Sequence, residues 1–99
     1  MINKMVTFRV KEGALDEAKM LVREFVENII LNEEDTLLYR ALQQTNDPTR
    51  FVHFMTFKDD FAESQHNKSN YGAEFVELLT PFCEEEIEVT DLTRLAFHD

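Results

Sequence analysis

Phe51-Val52-His53-Phe54-Met55-Thr56-Phe57 is the stretch on which the fold turns. An extended segment sends alternate side chains to opposite faces. Phe51, His53, Met55 and Phe57 therefore share one face, and Val52, Phe54 and Thr56 share the other. Both faces are bulky and mostly apolar, whereas a strand with one face in water alternates apolar with polar. Only one face can meet helices. The other would leave large apolar area in water, and each fully buried Phe or Met is worth roughly 1.5–3 kcal/mol. A second copy of the sheet would cover it, so the sequence predicts a homodimer with sheets packed face to face about a two-fold axis.

Working outward, Thr36 to Gln43 alternates as well, with Leu37, Tyr39 and Ala41 against Leu38, Arg40 and Leu42. The turn chemistry of Thr45-Asn46-Asp47-Pro48-Thr49 joins the two strands into a hairpin. Upstream, Met5 to Val10 forms another strand, with Val6, Phe8 and Val10 on one side, and Gly13 ends the pattern. From Ala14 to about Leu31 the apolar residues Ala18, Leu21, Val22, Phe25 and Ile29 recur at helical spacing. The polar stretch Asn32-Glu33-Glu34-Asp35 closes that helix. Downstream, Asp60-Phe61-Ala62-Glu63 has the form of a capping box opening a second helix. That helix should break or kink at Lys68 to Gly72, where helix propensity is poor, and stop at Pro81. Ile87, Val89, Leu92 and Leu95 are the apolar members of a fourth strand, and His98-Asp99 is a tail. The order β-α-β-β-α-β predicts an α+β, ferredoxin-like four-stranded antiparallel sheet with two helices on one face. No linker or repeat interrupts it, so residues 1–99 read as a single domain.

Twenty acidic against ten basic residues give a formal net charge of −10. That argues against nucleic acid or an anionic membrane surface as the main partner, since both need a basic footprint. The single cysteine, Cys83, excludes an internal disulfide and any multi-cysteine metal site within one chain. It suits a reducing, cytoplasmic setting. No stretch approaches the ~18 apolar residues of a membrane span. There is no phosphate-cradling glycine loop and no dinucleotide fingerprint.

The run Arg50 to Asp59, then Ala62, His66, Ser69, Tyr71 and Phe75, resembles the antibiotic biosynthesis monooxygenase domain. Members typically show a strand ending near an acidic turn, then Ala-x-x-x-His-x-x-Ser, then an aromatic residue or His. The hairpin entry Thr36 to Arg40 before the Asn-Asp-Pro turn also fits, so the resemblance covers nearly the whole chain. It implies a dimeric α+β barrel, in agreement with the independent argument from the central strand. It further implies one of three chemistries: cofactor-free monooxygenation of polycyclic phenols or quinols, haem degradation, or sugar-phosphate isomerisation. Haem degradation is disfavoured. The Trp expected early in the second helix is replaced by His66, the haem-ligand position holds Val76, and the chain has no Trp.

His66 is the leading catalytic candidate, because an imidazole titrating near neutrality can take a phenolic proton and return it. Its plain alternative is a surface histidine. Tyr71 could orient a substrate oxygen, or simply pack. Arg40 could bind an anionic or enolate oxygen, or pair with an acid. His53 could line the pocket or be a hydrogen-bonded structural residue, and Tyr39, Phe54 and Phe75 could form an aromatic wall or the core. Cys83 is no nucleophile candidate near a helix C-terminus. Glu33-Glu34-Asp35 and Glu84-Glu85-Glu86 read as solvated acidic faces and not as a metal site. The expectation is a cofactor-independent monooxygenase acting on a small aromatic or quinol-type molecule. A carbonyl isomerase working through His66, or a non-catalytic dimeric binding module, are the alternatives.

Overall fold

The computed structural model describes residues 1–98, and the Asp99 of the expected tail lies outside them. Four strands, β1 (Ile2–Arg9), β2 (Thr36–Gln44), β3 (Asp47–Phe57) and β4 (Glu88–Leu92), form one antiparallel sheet in the order β2-β3-β1-β4. Three helices, α1 (Leu15–Asn32), α2 (Asp60–Asn67) and α3 (Asn70–Leu79), pack on one face of it. This is the ferredoxin-like architecture that the order of elements predicted.

The helical periodicity of α1 is met by burial of Ala18, Val22, Phe25 and Ile29. These residues pack on Phe8, Val10 and Phe51 of the inner sheet face and on Phe75 and Leu79 of α3. Phe25 stacks on Phe75 with ring centroids 4.3 Å apart, and Phe8 stacks on Phe51 at 5.0 Å. The register pairs Phe8 with Phe51, Val6 with His53 and Tyr39 with Met55, so these side chains share the helix-covered face. Leu38, Arg40, Leu42, Val52, Phe54 and Thr56 share the outer face.

The second helical region is divided, as its weak segment suggests. Ser69 caps α3 by accepting from the Gly72 N–H at 3.2 Å. A Cβ on Gly72 would lie 2.5 Å from the Ser69 hydroxyl, so this cap requires glycine. Three expectations need correction. Asp59, not Asp60, caps α2 by accepting from the Ala62 N–H at 2.9 Å, and Glu63 instead pairs with Lys4 on β1. The hairpin turn shrinks to Thr45-Asn46, because Pro48 lies at the start of β3, where an extended φ suits proline. Finally, β4 ends at Leu92, and Leu95 is 97% exposed beyond the sheet.

Candidate active site

Between the inner sheet face and the helices lies a cavity of about 330 Å³. Its floor is Val6, Phe8, Tyr39, His53, Met55 and Phe57, and its roof is Phe25, Phe75 and Leu79. His66 and Asn67 close the end where α2 stops, while Val76 and Val89, half or more exposed, lie at the rim. Two other depressions are larger, one on the outer sheet face and one between α1 and β2. Neither is lined by a histidine or tyrosine among the described residues, so the chemistry concentrates in the inner cavity.

His66 sits in the last turn of α2. Its Nδ1 lies 2.8 Å from Glu33 Oε1. Glu33 also accepts from the Thr36 hydroxyl at 2.7 Å and from the Tyr71 hydroxyl. Its side chain is only 6% exposed. With three donors directed at it, Glu33 plays the acceptor-only part of a carboxylate. In its neutral form His66 then carries its proton on Nδ1 and keeps the Nε2 lone pair, and among the described residues Nε2 has no hydrogen-bond partner within the chain. A carboxylate behind an imidazole both orients the ring and stabilises the imidazolium formed when Nε2 takes a proton.

Glu33 was not among the expected site residues, and its stretch reads from sequence as a solvated acidic face. The signal was present nonetheless. Glu33 follows Ile29 by four residues and so continues the buried stripe of α1, at the point where the helix ends. Buried there without partners, a carboxylate would be costly, and Thr36, His66 and Tyr71 satisfy it.

The remaining expected residues separate into two groups. Tyr39, His53 and Phe75 line the cavity with His66. Tyr39 and His53 are joined through the Tyr39 hydroxyl and His53 Nδ1 at 2.8 Å. Burial lowers the His53 imidazole to about 4. Burial, with a smaller contribution from the negative charge of Glu33, raises the Tyr39 hydroxyl well above its ordinary value. Arg40 and Phe54 are paired neighbours on the outer face, with the sheet between them and His66. They cannot position an oxygen that His66 deprotonates. Tyr71 also stands apart from the cavity lining. Its contact is with Glu33, and burial followed by that hydrogen bond and charge pushes its hydroxyl up to about 12. It shares the Glu33 carboxylate with His66. Cys83 is half-buried, and burial pushes its thiol up, against a nucleophilic role.

No cluster of metal-ligating side chains occurs among the described residues, and no helix there is long and apolar enough to cross a membrane. Lys4 is the cation lining the cavity, and it is held at the rim by Glu63 and by Asp91 at 3.3 Å.

A ferredoxin-like sheet with an apolar cavity and a carboxylate-backed histidine defines the class: a small α+β protein with a cavity beneath its helices. The chain belongs to the antibiotic biosynthesis monooxygenase family, whose model matches residues 1–78. Solved structures of similar fold include an antibiotic biosynthesis monooxygenase at 23% identity, with 97% of this chain and 100% of that one covered and a TM-score of 0.89. A Nitrosomonas europaea protein carrying the same family name is 22% identical over 97% and 100% of the two chains, with a TM-score of 0.89. A conserved protein from Methanosarcina mazei is 23% identical over 95% and 92%, with a TM-score of 0.86. At these identities the likeness establishes the fold. No curated protein matches the chain.

Proposed function

We propose that this chain is a cofactor-independent monooxygenase that oxidises a small aromatic or quinol-type substrate with dioxygen. The observation that carries the reading is the Glu33–His66 pair at the end of an apolar cavity. The cavity volume, about 330 Å³, lies at the lower end of the ~300–1,000 Å³ usual for ligand sites.

In this reading His66 Nε2 removes the phenolic proton, and Glu33 stabilises the resulting imidazolium. The electron-rich anion reduces dioxygen by one electron, and the radical pair combines into a carbon–oxygen bond at a ring carbon bearing hydrogen. The peroxide takes up the proton held by His66. Loss of water then leaves a carbonyl, so one dioxygen becomes one quinone oxygen and one water, and the substrate supplies both hydrogens. The protein contributes a base, orientation and a dry enclosure.

The absence of an unpaired cation from the described cavity lining supports a neutral substrate over a sugar phosphate. An isomerase acting on a phosphate ester would need Arg40 beside His66, and Arg40 is across the sheet. The reading includes a homodimer formed through the outer face, where Leu42 and Leu92 are 50% and 38% exposed. It also includes a cytoplasmic location for an enzyme with one free thiol.

Oxygen uptake with a hydroquinone or naphthol under air tests the proposal. Uptake that is lost in His66→Ala, with fold and assembly intact, supports it. Absence of uptake with any phenol, or full uptake in His66→Ala, overturns it. Proton exchange on a phosphorylated hydroxyketone would instead favour the isomerase.

A further inference from the structure

We propose that His53 is a neutral hydrogen-bond donor to substrate, and that His53 and His66 together select a hydroxy-carbonyl aromatic, with an O–H at one position and a conjugated carbonyl oxygen at another. This deepens the reading of the cavity as a substrate site and rests on it.

His53 is 0% exposed on the cavity floor, and its Nε2 has no hydrogen-bond partner. Buried polar groups are normally satisfied, so an orphan in a cavity wall points to a group that arrives with the ligand. Whether Nε2 is donor or acceptor follows from its other nitrogen. Nδ1 meets the Tyr39 hydroxyl at 2.8 Å, and among the described residues that hydroxyl has no other partner. The phenolic O–H is the more acidic donor of the two, and an imidazole nitrogen is a much better acceptor than a phenol oxygen. Tyr39 therefore donates to Nδ1, and Nε2 carries the imidazole proton. Burial supports this by keeping the Tyr39 hydroxyl protonated and the imidazole uncharged.

The two histidines therefore hold opposite tautomers. Glu33 leaves His66 Nε2 as an acceptor, and Tyr39 leaves His53 Nε2 as a donor. Both rings flank Tyr39, with centroids 6.0 and 5.5 Å from its own. A hydroxy-carbonyl matches this pair. Its O–H proton passes to His66 Nε2, and conjugation carries the negative charge to the carbonyl oxygen. A hydrogen bond from His53 to that oxygen strengthens as the charge arrives, so it stabilises the anion more than the neutral molecule. Met55 lies beside His53 on the same face, and its flexible thioether can shift to admit the oxygen. Tyr39 is then a positioning residue that fixes the tautomer.

Two measurements on the full chain test this. Long-range ¹⁵N–¹H correlation spectra of the imidazoles should show His53 neutral with its proton on Nε2, and neutral His66 with its proton on Nδ1. A proton on His53 Nδ1 overturns the inference. Binding is compared between 6-acetyl-2-naphthol and 6-ethyl-2-naphthol, which lacks the carbonyl. Wild type should prefer the acetyl compound by about tenfold and bind it with the red-shifted absorbance of its anion. His53→Phe should weaken binding of the acetyl compound about tenfold more than that of the ethyl compound and so abolish the preference, and Tyr39→Phe should reduce it. Equal binding of both compounds to wild type, or equal weakening of both in His53→Phe, overturns the inference and spares the site. Failure of wild type to bind either compound removes the site reading and the inference together. Should His53→Phe not fold, Tyr39→Phe and the wild-type spectra still decide.

Discussion

Along β3, His53 and Phe57 are 0% and 1% exposed on the inner face, whereas Phe54, between them in sequence, is only half-buried on the outer face beside exposed Arg40. The two faces carry similar aromatic residues a few ångströms apart, yet their physics differs. On the inner face the helices bury the polar groups, and burial makes an unpaired one costly. Glu33 has three donors, and His53 has one partner and one vacant nitrogen. On the outer face Arg40 remains solvated, and apolar side chains such as Phe54 and Leu42 are covered only in part. The comparison shows that aromatic content alone does not mark a site. Enclosure does, because it turns weak polar contacts into directional ones.

The sharpest way to break this contrast is to charge the outer face. Phe54→Asp, entering the proposed interface twice by symmetry, should weaken dimerisation by roughly 10²–10⁴-fold. Sedimentation should then show a single chain of 99 residues. A variant that sediments as wild type, or a wild type that is itself monomeric, would remove the outer face as an interface. On the inner face, His66→Ala should lower turnover by about 10²–10⁴-fold in a chain that still folds, with a lower thermal melt because Glu33 loses one of its donors.

The acid stability of the protein addresses the enclosure itself. Burial holds His53 at about 4 in the folded chain, against an ordinary value near 6.5. The unfolded chain therefore binds the proton first. The stabilising effect of keeping His53 neutral is complete above pH 6.5 and is lost as the pH falls from there through about 4. The full loss is about 3 kcal/mol. Denaturant unfolding across that range should show it, and His53→Phe should flatten that limb. A wild-type acid limb that His53→Phe leaves unchanged would mean the imidazole is not enclosed. A smaller effect is expected from Ser69→Ala, which removes the cap on α3 and should cost about 1 kcal/mol by thermal melting. The smallest belongs to Arg40→Ala. Across the sheet from His66, it should leave turnover within about twofold of wild type, as an exposed surface residue would. A large loss in steady-state assays would show that the outer face reaches the chemistry.

Much of this contrast is legible in the sequence, for reasons that differ residue by residue. Strand alternation sorts Tyr39 and His53 from Arg40 and Phe54 once the register is known, but alternation does not say which face the helices cover. His66 stands out because few groups titrate near neutrality. Glu33 hides among neighbouring acids, since its burial depends on where α1 ends. Tyr71 looks like a ligand contact because it lies five residues from His66, whereas the break at Ser69 starts a new helix and turns it toward Glu33.

The order of elements, the split in the second helix and the apolar character of both faces of β3 are written in local pattern. Periodicity, capping residues and propensity act over a few residues and require no partner. The Glu33–His66–Tyr71 network, the Tyr39–His53 pair and the separation of Arg40 from the cavity arise only when distant segments meet. Glu33 lies 33 residues from His66 and 38 from Tyr71. Whether such groups bond depends on strand register and helix packing, and burial is what lowers the His53 imidazole.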